Sequence, residues 1–269
     1  MQTPRIDHTQ LTPDLLDQLD TPLIVQNWPL PPRNLPPEQL KQQLHDETLW
    51  IYDRNAGDSW QEMTAEQFVT AWIQPQADPR LNVVDVYLPD PHFDAIFPVH
   101  AAFDANNVLL QDDRTRHYRR SVVLSAPGAY TPMHVDGYGC GGWMYLIEGQ
   151  KLWELVHPDQ AMALWDAQKR DFRDAALDVP ETAVWTATLQ AGELLICPPG
   201  FVHRVQTPVR CTGFGGAYLP RGQVPRALEV WHREQAHGVA GPLDFASVLA
   251  AAEASISPAA ASAKELDLH

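Results

Sequence analysis

The 269-residue chain has only three cysteines, few basic residues and no long hydrophobic run. Cys140, Cys197 and Cys211 lie far apart and include no Cys-x-x-Cys pair, so they form neither a disulfide framework nor a zinc finger. No apolar run reaches the length of about 18 residues that a membrane span needs, and the first residues lack the pattern of a signal peptide. The sequence therefore predicts a soluble, intracellular protein in a reducing compartment, with no membrane partner.

The charge of the chain also excludes a class of partner. Lysine and arginine together number 19 against 34 acidic residues, which gives a formal net charge of −15. Affinity for a nucleic-acid backbone comes from clustered basic residues, so we expect no direct nucleic-acid binding. A protein or peptide substrate suits this surface, particularly a basic one, although acidity is also a common device for solubility.

Short apolar runs alternate with turns through the middle of the chain. The runs cover residues 83–87, 121–124, 143–147, 151–156, 184–189, 194–197, 201–206 and 211–219. Glycine-containing turns at 148–149, 190–192 and 198–200 separate several of them. Short strands joined by such turns predict a mainly β fold, with the antiparallel strands in a double-sheet or jelly-roll arrangement.

Flanking helices and terminal segments are predicted around this β region. Residues 64–73 have apolar side chains at helical spacing, with Thr64 placed to cap the first turn. Residues 224–231 show the same periodicity, with Pro225 in the first turn. Clustered prolines indicate that residues 1–60 are an extension packing on the barrel, and alanine-rich residues 238–269 are expected to be a tail. The main domain is then expected to span residues 61–237.

Three His-x-Asp pairs are candidates for part of a metal site, because residues two apart on a strand project from the same face. His92-Phe-Asp94 follows Pro89-Asp-Pro91, and His157-Pro-Asp159 has proline between the two side chains, so both are predicted to be turns. His134-Val-Asp136 instead keeps the strand alternation, follows Gly128 and precedes a hydrophobic strand. We predict that this pair binds a metal ion.

A third ligand is predicted from Pro198-Pro-Gly200-Phe-Val-His203. The turn ends one strand, and His203 begins the return strand, so its imidazole can point back toward His134 and Asp136. Two histidines and a carboxylate form the facial triad that binds Fe(II) and leaves positions open for substrate and O2. Zinc or manganese would also bind such a set of ligands. The alternative interpretation of His203 is an ordinary histidine at the end of a strand.

Lys151 indicates which cosubstrate this centre would use. It shares a strand face with Trp153, and a lysine on an apolar face must reach solvent or meet an anion. If it points inward, its ammonium would receive the distal carboxylate of a dicarboxylate cosubstrate, and Thr131 would add a hydroxyl. Thr131 and His134 face opposite sides of a regular strand, so Pro132 would have to kink it. A lysine at a hairpin edge is the other interpretation.

These motifs resemble the Jumonji-C (JmjC) family of Fe(II)- and 2-oxoglutarate-dependent oxygenases. The resemblance covers residues 80–235 and rests on the spacings Gly128-x5-His134-x-Asp136 and Gly192-x5-Pro198-x-Gly200-x2-His203. Residues 143–155 and 207–219 are similar to the lysine-demethylase subgroup whose members often carry PHD or CXXC fingers. The resemblance implies a double-stranded β-helix of the cupin type, in which His134, Asp136 and His203 form the catalytic Fe(II) centre. It also implies that O2 is the oxidant and that Thr131 and Lys151 bind 2-oxoglutarate.

The chain departs from that subgroup at two places. After the residue that corresponds to Trp143, the subgroup usually has Tyr and then His, whereas this chain has Met144 and Tyr145. After Phe-Gly-Gly the subgroup usually has Asn, whereas this chain has Ala217. Both departures are expected near the cosubstrate and substrate pocket. The resemblance implies a nuclear demethylase of histone-type methyl-lysine. The alternatives are a cytoplasmic JmjC hydroxylase of a protein side chain, RNA or small molecule, a non-catalytic JmjC binding module, and a metal-binding cupin that uses no 2-oxoglutarate.

Overall fold

The structure, a computed structural model, describes residues 1–29, 36–44, 48–53, 59–86, 97, 100–166, 171–174 and 179–237. The strands are β1 (Arg5–Asp7), β2 (Leu23–Gln26), β3 (Thr48–Asp53), β4 (Ser59–Thr64), β5 (Asn82–Val86), β6 (Ser121–Ser125), β7 (Ala129–Val135), β8 (Gly141–Val156), β9 (Trp165–Asp166), β10 (Asp171–Phe172), β11 (Val184–Gln190), β12 (Leu194–Cys197) and β13 (Val202–Tyr218). The α-helices are α1 (Pro13–Gln18), α2 (Pro37–Gln43), α3 (Ala65–Trp72), α4 (Ala101–Asp104), α5 (Asp113–Arg116), α6 (Pro158–Ala161) and α7 (Val224–Ala236).

The two long strands β8 and β13 form the frame of the fold. They pair with each other along almost their whole length, with register shifts near the middle of the ladder. One half of this ladder is flanked by β12, β2 and β1 on one side and by β6 and β5 on the other. The other half is flanked by β11 and β7. All nine strands form one hydrogen-bonded network, and side chains of its two halves pack together in one interior cluster, so the halves act as two facing sheets. The predicted fold class, a cupin-type jelly roll with flanking helices, is confirmed.

Continuous bends explain why β8 and β13 differ from the predicted strands. The sequence predicts two strands in place of each, with breaks at 148–150 and 207–210, whereas the structure has one strand in each case. Gly149 lies at the bend of β8 with φ of 88°, and a Cβ there would collide with the Arg210 carbonyl oxygen. This glycine therefore allows the strand to bend and continue into the second sheet, rather than ending it in a turn.

The first half of β8 sends alternate side chains into two hydrophobic clusters. Met144 and Leu146 point into the interior of the barrel, where they join Trp153 and other side chains from the two sheets. Trp143 and Tyr145 point the opposite way, into a cluster that also contains apolar residues of α1, α2 and α3. The sheet is thus covered on its outer face, and the barrel interior is left for the site.

The two longer predicted helices are confirmed. Thr64 caps α3, because its Oγ1 accepts a hydrogen bond from the Gln67 N–H at 3.2 Å. α7 begins at Val224 with Pro225 in its first turn and continues beyond the predicted end to Ala236. No helix in the described part of the chain is long and apolar enough to cross a membrane.

The N-terminal residues contribute to the main sheet. β2 lies between β1 and β12, and its residues Leu23, Ile24 and Val25 are buried. The predicted tail, residues 238–269, lies outside the described residues. The division of the chain at residues 60 and 237 stays a prediction.

Candidate metal centre and its cavity

Pairing between β7 and β13 brings the two candidate histidines side by side. His203 is the antiparallel partner of His134, and their ring centroids lie 4.2 Å apart. Asp136 directly follows β7, and its Oδ1 lies 3.7 Å from the Nε2 atom of each histidine. One ligand atom from each of the three residues lies within 4.8 Å of the other two. The three predicted ligands therefore form a single cluster.

Backbone carbonyls orient both imidazole rings. The Nδ1–H of His134 donates to the Pro132 carbonyl oxygen at 2.7 Å, and that of His203 donates to the Phe201 carbonyl oxygen at 3.3 Å. A carbonyl only accepts, so each Nδ1 carries the hydrogen and each Nε2 keeps a lone pair on the side of Asp136. Metal-bound histidines are held in the same way, with the second nitrogen hydrogen-bonded to an acceptor. The donor set fits a divalent cation such as Fe(II).

Burial shifts the protonation of two members of the cluster. It lowers the pKa of His203 well below its ordinary value, so the ring is neutral at pH 7 and its lone pair is free. It raises the pKa of Asp136, although 29% of that side chain is exposed and the charge of His134 acts to lower this pKa. A bound cation would favour the carboxylate form and offset this desolvation.

A cavity of about 320 Å³ opens beside the cluster. His134, Asp136, His203, Lys151 and Thr131 all line it. The rest of its wall is mainly apolar and includes Val84, Leu109, Val123, Met144, Trp153, Leu195 and Val205. The structure thus brings all five predicted site residues to one cavity, and their roles stay predictions.

Lys151 is buried in this cavity with hydroxyl partners alone. The side chain is 1% exposed, and its Nζ donates to Ser125 Oγ at 2.9 Å and to Thr207 Oγ1 at 3.2 Å. Among the described residues, no carboxylate lies within ion-pair distance of Nζ. Burial therefore lowers the pKa of Lys151. A buried ammonium with one remaining N–H and no counter-charge fits an anionic ligand such as a carboxylate.

A bulge in β7 brings Thr131 to the same side as His134. The two residues are three apart, yet their partners on β13, Val205 and His203, are two apart. The extra residue reverses the alternation, so both side chains line the cavity. The irregularity lies between Thr131 and His134, the segment that contains Pro132, and the role of the proline in it stays a prediction.

Asp174 holds this bulge from outside the barrel. Its Oδ1 accepts hydrogen bonds from the Met133 N–H at 3.0 Å and from the Tyr130 hydroxyl at 2.6 Å. Burial and the Asp174 carboxylate together raise the pKa of Tyr130 to about 12, so the phenol remains a donor. The residue before His134 is thereby fixed by a side chain that lies far along the sequence.

A hydrogen-bonded chain links Thr131 to Lys151. Asn82 Nδ2 donates to Thr131 Oγ1 at 3.0 Å, and Asn82 Oδ1 accepts from Ser125 Oγ at 2.6 Å. Ser125 in turn accepts from Lys151, so one network orients both predicted 2-oxoglutarate residues. Asn82, Ser125 and Thr207 are not among the predicted site residues. Strand alternation indicates one of them, because Ser125 lies on the same face of β6 as Ser121, and Ser121 lines the cavity.

The other two His-x-Asp pairs do not join the cluster as far as the structure describes them. His157 caps α6, where its Nδ1 accepts from the Asp159 N–H at 3.2 Å, so these residues begin a short helix and not the predicted turn. His92 and Asp94 lie outside the described residues.

Several known proteins are similar to this chain in sequence. No family model matches the chain. The histone lysine demethylase PHF8 of Danio rerio is 22% identical over 193 residues, which cover 65% of this chain and 18% of the relative. Lysine-specific demethylase 2A of Xenopus tropicalis is 28% identical over 147 residues, 52% of this chain and 13% of the relative. The JmjC domain-containing histone demethylation protein 1 of Saccharomyces cerevisiae is 32% identical over 114 residues, 40% of this chain and 23% of the relative.

The chain is related to the JmjC histone lysine demethylases. The resemblance predicted from its motifs is thus confirmed. This JmjC-like chain spans less than a quarter of the length of each of these three relatives.

The departures from the JmjC demethylase subgroup fall on two sides of the sheet. Met144 and Ala217 line the cavity, as expected. Tyr145 instead packs against Phe97 at 5.1 Å and Trp28 at 6.1 Å between ring centroids, in the outer cluster. The expectation that this residue lies near the pocket is therefore wrong, because alternation along β8 turns it away from the barrel interior.

Gly142 offers a test of the position of Asp136 in this JmjC-like site. A Cβ at residue 142 would lie 2.6 Å from Asp136 Oδ2, whereas a Cβ at Gly137 would meet nothing within 4 Å. We expect Gly142→Ala to displace the carboxylate and weaken Mn(II) or anaerobic Fe(II) binding about tenfold or more, as measured by calorimetric titration. Gly137→Ala is the matched control. Equal affinities for the two variants would contradict the proposed position of the ligand.

Lys151→Met tests whether the buried lysine serves folding or a ligand. Replacing a poorly compensated buried ammonium by an apolar side chain of similar length should stabilise the protein by about 1–4 kcal/mol at pH 7. The folded-state pKa is lowered, so the unfolded chain binds more protons as the pH rises toward the ordinary lysine value. The free energy of unfolding of the unsubstituted protein should therefore rise between the folded-state pKa of Lys151 and the ordinary lysine pKa. Over the same pH range, the difference in stability between the Lys151→Met protein and the unsubstituted protein should become smaller.

Denaturant unfolding at several pH values measures both effects. Lys41→Met is the control, because Lys41 lies on α2, where it pairs with Glu38 at 3.2 Å. A Lys151→Met protein that is clearly less stable at pH 7 would assign Lys151 a structural role.

Proposed function

We propose that this chain is an Fe(II)- and 2-oxoglutarate-dependent dioxygenase that demethylates methyl-lysine side chains of a protein, as in histones. The observation that carries the proposal is one cavity lined both by the His134, Asp136 and His203 cluster and by a buried lysine that has no anionic partner among the described residues. The names of the curated relatives, which are lysine and histone demethylases, support the choice of substrate. A histone-type substrate would place the protein in the nucleus.

The residues of the cavity divide into two binding functions. His134, Asp136 and His203 would hold Fe(II), and Lys151 with Thr131 would hold the C5 carboxylate of 2-oxoglutarate. When bound, iron, 2-oxoglutarate and O2 supply the hydroxylation of a substrate C–H bond, with succinate and CO2 as the other products. Hydroxylation of an N-methyl group gives a hemiaminal, which loses formaldehyde and leaves the demethylated lysine.

The chain itself contributes orientation and exclusion of water. The Pro132 and Phe201 carbonyl oxygens fix the two imidazole rings, so Nε2 of each is ready for a metal. Ser125 and Thr207 hold the Lys151 ammonium in place before an anion arrives. The apolar walls keep bulk water from the reacting groups and strengthen the attraction between the ammonium and a carboxylate.

The overall charge of the chain suits this substrate class. A net charge of −15 attracts basic peptides at long range and repels nucleic-acid backbones. Association with a basic peptide should therefore be faster at low salt than at high salt.

A stable hydroxylation is the second candidate function. Met144 and Ala217 line the cavity where the demethylase subgroup has Tyr and Asn, so this chain lacks two polar groups there. A less polar wall would suit a carbon other than an N-methyl group. The two functions differ in their products, because only demethylation releases formaldehyde.

Turnover of 2-oxoglutarate tests the proposal. We expect purified protein with Fe(II), ascorbate and 2-oxoglutarate to form succinate, and to convert methyl-lysine peptides with loss of CH2 and release of formaldehyde. Lys151→Ala should raise the KM for 2-oxoglutarate about 10- to 100-fold, because it removes a charged hydrogen-bond donor from a buried site. Mass spectrometry of the peptides and a succinate assay provide the measurements.

Lys41→Ala is the control for the lysine substitution and should leave KM unchanged. Gain of one oxygen without formaldehyde would favour the hydroxylase. Failure to bind 2-oxoglutarate and to form succinate would overturn the oxygenase proposal and leave a binding module or a plain metal-binding cupin.

A further inference from the structure

Helix α7 packs against the two segments that carry Asp136 and His203. Gly139 lies three residues after Asp136, and Gly200 lies three residues before His203. Both glycines have a positive φ, 65° at Gly139 and 81° at Gly200, a conformation that strains other residues. Because neither has a Cβ, a side chain of α7 can approach the backbone of both segments closely.

Val230 is the α7 side chain that lies against both glycines. A Cβ at Gly139 would lie 2.9 Å from Val230 Cβ and 3.0 Å from Val230 Cγ1. A Cβ at Gly200 would lie 2.8 Å from Val230 Cγ2. The two γ-methyl groups therefore already occupy the space beside the two glycines, and Val230 is only 7% exposed.

A hydrogen bond connects Gly139 to the carboxylate ligand. The Gly139 N–H donates to the Asp136 carbonyl oxygen at 3.1 Å. A shift of Gly139 would therefore move the backbone of Asp136, whose Oδ1 lies 3.7 Å from Nε2 of each candidate histidine ligand. Val230 thus acts on this ligand through one of the two glycines.

Phe201 connects Gly200 to the second ligand. It directly follows Gly200, and its carbonyl oxygen accepts the hydrogen bond from His203 Nδ1–H at 3.3 Å. A shift of Gly200 would therefore move the acceptor that orients the imidazole ring. Val230 thus acts on His203 through the other glycine.

The rest of α7 is anchored independently of Val230. Arg233 Nη1 donates to the Pro158 carbonyl oxygen at 2.9 Å, just after the end of β8. A hydrophobic cluster joins the helix to residues next to β8 and β13, and its members include Val224, Ala227, Trp231, Cys140 and Leu219. The helix therefore gives Val230 a fixed position from which to support the two segments.

We propose that Val230 is a positioning residue of the metal centre, which holds Asp136 and His203 at a separation suited to a divalent cation. Ligands that are in place before the ion arrives bind it more tightly, because less reorganisation opposes binding. The inference rests on the metal-binding part of the proposed function and requires no turnover.

Calorimetric titration of the protein with Mn(II) tests this role. Val230→Ala removes both γ-methyl groups and should weaken Mn(II) binding about tenfold. Val230→Thr keeps two γ-atoms in nearly the same shape, so it should retain the affinity even though its buried hydroxyl lowers stability to denaturant. Val69→Ala, an equal truncation on the buried face of α3, should lower stability and leave Mn(II) binding unchanged.

A double substitution tests the contact itself. Gly200→Ala should weaken Mn(II) binding, because its Cβ would meet Val230 Cγ2. Val230→Ala removes that atom, so in the Gly200→Ala protein it should cost much less than its own tenfold effect. The backbone strain of alanine at residue 200 is the same in both backgrounds and cancels. Gly139→Ala should be relieved less, because its Cβ would still meet Val230 Cβ, which alanine keeps.

The possible results separate this inference from the proposed function. Equal Mn(II) affinities of the Val230→Ala and Val69→Ala proteins would overturn the positioning role, as would an affinity of Val230→Thr that falls with its stability. Independent effects of Gly200→Ala and Val230→Ala would overturn the contact. Absence of Mn(II) binding by the unsubstituted protein would overturn the metal centre together with this inference. The expected Mn(II) affinities without succinate formation would reject the oxygenase alone.

Discussion

The contact between His134 and His203 exists because β13 changes partners along its length. Its first residues pair with β7, and its later residues pair with β6 in the other sheet. Only the first stretch places two histidines opposite each other, with Asp136 at the end of β7 to complete the cluster. The candidate metal centre thus depends on a bend that the strand makes some distance from it, and a straight β13 would not reach both partners.

The same bend explains what could and could not be predicted about the fold. Periodicity located the strands near 121–125, 184–190 and 194–197 and the helices at α3 and α7, because local alternation and capping decide those elements. Local patterns predict two strands in place of each of β8 and β13. The reason is that glycine and proline indicate an interruption of a strand but do not distinguish a turn that ends the strand from a bend within it. Gly149 shows the difference, since Arg210 packs against it from the partner strand, a contact that no local pattern contains.

The candidate site was predictable where chemistry requires particular residue types at fixed spacing. His134, Asp136, His203 and Lys151 are of this kind, and they all line one cavity. Asn82, Ser125 and Thr207 were missed because hydroxyl and amide side chains are common and acquire meaning only through their neighbours. Thr131 is intermediate, because its orientation depends on a bulge that the distant Asp174 helps to hold.

Burial of polar groups in the barrel connects the stability of the fold to its function. A jelly-roll interior lined by Val123, Leu195 and Val205 gains most from apolar contents, yet this one encloses an ammonium and a carboxylate. The two charges are held in different parts of the cavity, with Lys151 bonded to hydroxyls and Asp136 beside two histidines, and in the described part of the chain they form no ion pair with each other. If they formed an ion pair, each would satisfy the other and neither would need a ligand. Their separation leaves an anion site and a cation site facing one cavity, which is the arrangement that a chelating dicarboxylate and a metal ion would complete.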